Sequence, residues 1–420
     1  MRKLFSSIKD NTLTYWKKLG PGLITGASDD DPSGIATYSQ AGAKFGLSLL
    51  WTALLTFPLM YAVQEMCARI GIACNMGLTN VVKQHYPKVF IYVLSLMVIP
   101  AIILNIAADI AGMAAVTNMF LPQIPPVLIS LVIAIAILFS LILFSYKKIA
   151  AIMKYFTLTL VCYFIVPFLV KQDWKQVAFF TFVPHFKFDK EYISLLVAVL
   201  GTTISPYLFF WQASLSLEHK LSKRNSSHYE MKFVPLDISS GMFFSNLAMY
   251  FIILTTASVL FPHGITNINT VEEAAQALKP LAGDLAYIIF SVGILGVGFL
   301  AVPVLAACIG YIAAEIFDWK KGLDQQFKEA PEFYMTIVAA LAIGVVINMF
   351  NIDPISSLIF TAIVYGVTAP FLIALILHIC NNKKIMGKYT NKLFINILGF
   401  MALLLMSVVA IILVVSQFFV

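Results

Sequence analysis

The sequence predicts an all-α membrane protein of about eleven transmembrane helices, and three observations carry that reading. The first is composition: of 420 residues, 60% are hydrophobic and 12% charged, with a mean hydropathy of +0.88, far outside the soluble globular range. The second is the number of long apolar runs bounded by proline, glycine or charge. The third is that two of those runs, five spans apart, are interrupted in the same manner. No polar stretch is long enough to fold separately, so residues 19–418 read as a single transmembrane domain behind a cytoplasmic interfacial segment at 1–18.

In chain order, that first segment places Leu4, Phe5, Ile8, Tyr15 and Trp16 on one helical face with Arg2, Lys3, Lys9 and Lys17 turned away. This is the pattern of a helix lying in the interface rather than of a signal peptide. The spans follow at roughly 19–43, 47–74, 89–119, 126–145, 149–170, 192–217, 236–261, 283–315, 332–350, 355–379 and 393–418. The net charge of +7 is distributed in short clusters between spans, such as Lys147-Lys148, Lys320-Lys321 and Lys383-Lys384, so it sets topology and offers no face to nucleic acid. The bias puts the N-terminus in the cytoplasm and the C-terminus outside, and the partners expected are the bilayer, here a cell membrane, and small ions. The five cysteines, Cys67, Cys74, Cys162, Cys308 and Cys380, form no CxxC pair and have no histidine at zinc-site spacing, so no resident cofactor is expected.

The first span carries Gly26-Ala-Ser-Asp-Asp-Asp-Pro-Ser-Gly34 in its middle. Pro32 lacks an N–H, and Gly26, Ser33 and Gly34 lower helical preference, which predicts two half-helices joined by unwound chain. Unwound backbone at membrane depth is tolerated where it lines a cavity, and bare carbonyls beside carboxylates suit a cation. The competing reading is an exposed acidic loop with Pro32 starting a helix. The sixth span repeats the break at Gly201-Thr-Thr-Ile-Ser-Pro-Tyr207, for which an ordinary proline kink is the alternative. Two breaks five helices apart imply repeats of odd helix number, about 19–170 and 192–379, hence of opposite topology, with one extra helix at about 393–418. Of the other charges, Glu65 and Arg69 stand four apart and pair, Asp237 and Glu315 suit helix ends, and Asp353 starts a helix before Pro354. Asp109, without a basic neighbour, is a candidate for a proton or cation path.

The residues resemble the Nramp family of proton-coupled divalent-metal importers. The likeness runs through Leu19-Gly-Pro-Gly-Leu23, Asp31-Pro-Ser-Gly34, Gln40-Ala-Gly-Ala43, Leu49-Leu-Trp51, Gln64, Ala68-Arg-Ile-Gly-Ile72, Asp109, Gly201 and Ser205-Pro-Tyr207. The resemblance implies an inverted five-plus-five repeat of the leucine-transporter type, and a metal site at Asp31, the carbonyls of Ser28 and Thr202, and positions Gly34, Ser205 and Tyr207. Asp29 and Asp30 would be accessory acids.

Four departures from the family pattern set the expectations. Gly34 stands where the family has asparagine, Ser205 and Tyr207 replace methionine and histidine, Gly112 replaces a glutamate after Asp109, and Thr361-Ala362 replaces a Ser-Gln pair. Losing the thioether shifts preference toward hard ions, and Mg2+ keeps several waters when bound, so a roomier oxygen site suits Mg2+ beside Mn2+, as in the divergent Nramp-related magnesium transporters. Losing histidine and glutamate removes titratable relays, which implies weak or absent proton coupling. The alternatives are an ordinary proton-coupled Mn2+ or Fe2+ symporter and an amino-acid symporter on the same scaffold. An intramembrane enzyme has no support, since no His-Glu-x-x-His or nucleophile pairing occurs. The transporter is expected to act as a monomer.

Overall fold

A computed structural model describes residues 21–144, 148, 155, 158–222, 227–323, 325–350 and 352–419. The interfacial helix expected at 1–18 and the first part of the span expected at 149–170 lie outside those residues. Every described element is helical. Helices α1 (Pro21–Asp29) and α2 (Pro32–Phe45) lie where the first broken span is expected, followed by α3 (Trp51–Cys74), a short α4 (Leu78–His85), α5 (Lys88–Asn118) and α6 (Pro126–Leu143). After α7 (Val161–Leu169) and α8 (Trp174–Phe182), the second broken span is α9 (Lys190–Thr203) and α10 (Pro206–Ser222). The chain then runs through α11 (Ser227–Val259), α12 (Ala286–Phe317), α13 (Pro331–Asn348), α14 (Pro354–Asn381) and α15 (Leu393–Phe419).

Among the described residues, eight helices are long and apolar enough to cross a membrane, or up to nine if Pro32–Leu49 and Trp51–Cys74, which meet at 107°, form one bent span. The expected count of about eleven is higher because it scored three segments that this test does not pass singly. The first is broken at Asp30-Asp31, α3 carries Gln64, Glu65 and Arg69, and the 149–170 segment is described only in part.

The helices pack closest where side chains vanish. Gly201 is not part of the second break, as its place in the motif suggested, but lies inside α9: a Cβ there would sit 2.2 Å from the Ala362 carbonyl and 2.3 Å from the Gly366 nitrogen of α14. Gly26 plays the same part in α1, where a Cβ would fall 2.3 Å from the Gly241 carbonyl of α11. Small residues that let backbones touch are how helices associate in lipid, where no hydrophobic drive separates one apolar face from another. We therefore expect Gly201→Val to destabilise the fold by ~3 kcal/mol or more, since backbone rather than a flexible side chain must yield. Gly34→Ala, whose Cβ meets nothing closer than 3.4 Å, should unfold near the wild-type temperature in a detergent melting assay.

The peripheral charges are accounted for locally. Glu65 pairs with Arg69, whose Nη1 also donates to Asn391 Oδ1 at 3.1 Å and so ties α3 to the turn before α15. Asp237 accepts from the Gly22 amide at 2.7 Å, near the start of α1, and Asp353 accepts from Ser356 N at 2.7 Å at the start of α14. Glu315 accepts from the Asn80 amide at 2.9 Å and pairs with Lys321 at 2.6 Å.

Candidate functional site

Only Asp30 and Asp31 separate α1 from α2. Pro32 occupies the first helical turn, where a missing N–H costs nothing, and Asp31 is the N-cap in extended conformation, accepting from the Gly34 amide at 2.7 Å. Pro32 does start a helix, as the loop reading held, but the acidic residues are not exposed: Asp29, Asp30 and Asp31 are 0%, 7% and 1% accessible. They also diverge. Ser245 Oγ on α11 faces Asp29 Oδ2 at 2.6 Å and Asp30 Oδ1 at 3.3 Å, whereas Asp31 Oδ2 accepts from Asn105 Nδ2 on α5 at 2.9 Å. Among the described residues, no three His, Cys, Asp or Glu side chains converge as a metal cage. A cation here would be held by Asp31 together with neutral oxygens.

The second break lies against the first. Helix α9 ends at Thr203 and α10 begins at Pro206. The breaks are tied crosswise: Tyr207 OH donates to the Ser28 carbonyl at 2.9 Å, and the Tyr38 and Thr203 hydroxyls lie 3.0 Å apart. A Cβ at Gly34 would sit 3.4 Å from Thr202 Oγ1 and 3.5 Å from Asp31 Oδ1, so the position that holds asparagine in the family pattern lies between the two. The carbonyl ends of α1 and α9, each carrying about half a negative charge, lie at the two breaks that these contacts bring together. Ser205 Oγ donates back to the Thr202 carbonyl, as Tyr207 does to that of Ser28.

The structure adds residues that sequence reasoning missed. Asn105, fully buried one turn before Asp109, accepts from Thr361 Oγ1 at 3.0 Å while donating to Asp31. No signal in the sequence marked it, since a single amide in an apolar run has no local signature. Neither carboxylate oxygen of Asp109 has a hydrogen-bond partner among the described residues, nor has the Tyr365 hydroxyl, whose ring lies 5.7 Å from that of Tyr207. Asp109 is within electrostatic reach of Asp31. Buried polar atoms are nearly always paired, so this concentration of unpaired oxygens beside Asp31 suits a site built to receive a polar cargo. Gly112 faces Leu358 and Pro32, with the nearest Leu358 carbon 3.2 Å from where a Cβ would be. Above it a cavity of about 330 Å³ opens between α5, α14 and the segment at Asn269–Glu272.

The sign of the cargo follows from what caps α2. On a scaffold with broken helices, a substrate carboxylate binds the N-terminus of a half-helix. Here Asp31 itself takes that place, so a second carboxylate would meet like charge.

The family model described as natural resistance-associated macrophage protein-like matches residues 22–416. The chain belongs to the Nramp family. It is 26% identical over 404 residues to the divalent metal cation transporter MntH of Clostridium acetobutylicum, covering 94% of this chain and 90% of that protein. Among solved structures it resembles the Eremococcus coleocola manganese transporter, at a TM-score of 0.78 and 18% identity over 96% of this chain and 88% of that one. It also resembles MhsT in complex with L-phenylalanine, at a TM-score of 0.64 and 13% identity over 93% and 98%. The latter two likenesses concern fold. As an Nramp protein the chain is a membrane transporter, not an enzyme.

Proposed function

We propose that this Nramp protein carries divalent metal cations, Mn2+ and Mg2+, across a cell membrane by alternating access at the two helix breaks, with its N-terminus in the cytoplasm. The observation that carries the reading is Asp31, a buried carboxylate that caps α2 at the first break, with Gly34 between it and Thr202 of the second. Asp31, the Ser28 and Thr202 carbonyls and Ser205 are the oxygen donors, and Gly34 and Tyr207 shape the space around them. Asp29 and Asp30 act through their field from the Ser245 side. Uptake of Mn2+, Mg2+ and Ca2+ into liposomes containing the purified protein is the test. Wild-type protein that moves none of these ions would overturn the reading.

The donor set is all oxygen, which is why Mg2+ belongs beside Mn2+. A thioether favours softer ions, so Ser205→Met should raise Cd2+ or Mn2+ uptake relative to Mg2+ by about tenfold in competition assays. An unchanged ratio would mean that Ser205 does not face the ion. One observation favours the ordinary proton-coupled symporter instead, namely the Asp109 carboxylate, which has no hydrogen-bond partner among the described residues. Against it stand Leu358 and Pro32 packed where a relay glutamate would be, and a phenol at 207 already donating to a carbonyl. Weak or absent coupling is therefore the reading adopted.

A further inference from the structure

We propose that Asn105 supplies an amide oxygen to the cation at Asp31, by a half-turn of its carboxamide, and so stands in for the side chain that Gly34 lacks. The inference rests on the proposed cation site and adds a specificity-determining residue to it. Asn105 is fully buried on α5 and lies between two fixed partners. Its Nδ2 donates to Asp31 Oδ2 at 2.9 Å, and its Oδ1 accepts from Thr361 Oγ1 at 3.0 Å. Thr361 Oγ1 also lies 2.8 Å from the Leu358 carbonyl. A hydroxyl has one proton, so Thr361 can donate to Asn105 or to Leu358 and accept with its lone pairs in either case.

That choice makes the amide reversible. With the carboxamide turned, Nδ2 donates to Thr361 Oγ1, Thr361 donates to the Leu358 carbonyl, and Oδ1 faces Asp31 Oδ2, two acceptors that a cation between them satisfies. The two orientations have nearly the same shape and the same number of hydrogen bonds, so the occupant of the site decides between them. Alone, the Asp31 carboxylate selects the N–H end. A divalent cation on Asp31 repels that end and selects the oxygen. Geometry supports the substitution of one amide for another: position 34 lies against Asp31 Oδ1, whereas Asn105 reaches Oδ2 of the same carboxylate.

The test compares Asn105→Leu and Asn105→Met, which have similar volume, by Mn2+, Mg2+ and Cd2+ titration of the purified protein and by uptake in liposomes. Loss of a residue that only positions a ligand typically costs about 10–100-fold in metal affinity, so weaker Mn2+ binding in both variants does not separate the roles. Selectivity does. As a ligand position, Asn105→Met should show a Cd2+ to Mg2+ affinity ratio about tenfold above that of Asn105→Leu, because only a group touching the ion presents its sulfur to it. Equal ratios would overturn the assignment and leave Asn105 a positioning residue for Asp31. Should Asn105→Met not elute as folded protein, Gly34→Asn in the Asn105→Leu background serves instead. Recovery of most of the lost Mn2+ affinity supports exchange of one amide for the other, and a folded double variant as weak as Asn105→Leu would overturn it. Failure of the underlying transport reading looks different, since wild-type protein would then bind none of the three ions.

Discussion

Asp31→Ala is expected to lower Mn2+ uptake by about 100-fold or more, to the level of empty liposomes, while the protein elutes and melts close to wild type. The carboxylate has two separable roles. As N-cap of α2 it accepts from Gly34, and losing a cap typically costs ~1 kcal/mol. Removing an uncompensated buried charge acts in the opposite direction, since the groups facing Asp31 are a neutral amide and a backbone N–H rather than a cation. The ion has no such offset, because in the proposed site Asp31 is the charged donor. Asp31→Asn, which keeps a capping oxygen, should fail in uptake as completely as Asp31→Ala and melt higher. Neutralising Asp29 or Asp30 should cost less, about tenfold at most, because both face Ser245 on the α11 side and act on the proposed site through their field alone. If Asp29→Asn proved more damaging than Asp31→Asn, the ion would have to be placed against Ser245 instead.

Much of this was legible in the chain, for identifiable reasons. Proline and aspartate in the middle of apolar runs announce broken helices because their local chemistry does not depend on what packs nearby, and both breaks fall within a few residues of Pro32 and Pro206. The pairing of Glu65 with Arg69 followed from helical periodicity alone. What could not be read is whatever depends on a distant partner. Gly201 looked like part of a break because glycine weakens helices, yet it is kept for the backbone of α14 that lies against it. The three consecutive aspartates looked like one acidic cluster, and only the positions of Ser245 and Asn105, far away in sequence, reveal that they face two different ways. Asn105 itself drew no attention because a single amide in an apolar run has no local signature. Tyr207 was read as a lost histidine, while its tertiary role is to bridge one half-helix to the carbonyl end of the other.

With a membrane potential imposed and equal pH on both sides, the protein in liposomes is expected to accumulate Mn2+ without acidifying the lumen. A coupled symporter needs a titratable group at the ion and a chain of further groups to carry the proton onward. Asp109 is the candidate for the first, buried within electrostatic reach of Asp31 and with neither oxygen partnered among the described residues. The second is where this chain differs. One turn along α5, Gly112 is packed by Leu358 and Pro32, an apolar contact that offers a proton no acceptor. Across the site, Tyr207 commits its hydroxyl to the Ser28 carbonyl, and a phenol does not cycle between charge states at physiological pH as a histidine would. Protons are also not required as a driving force. A potential of 100 mV is worth ~2.3 kcal/mol per charge, hence ~4.6 kcal/mol for a divalent ion, enough for accumulation of about three decades. The measurement uses Mn2+ quenching of one trapped dye and a pH-sensitive second dye, with the potential set by a potassium gradient and valinomycin. Luminal acidification proportional to Mn2+ uptake, and abolished by Asp109→Ala, would return the protein to the proton-coupled symporters and make Asp109 a working proton site without a relay.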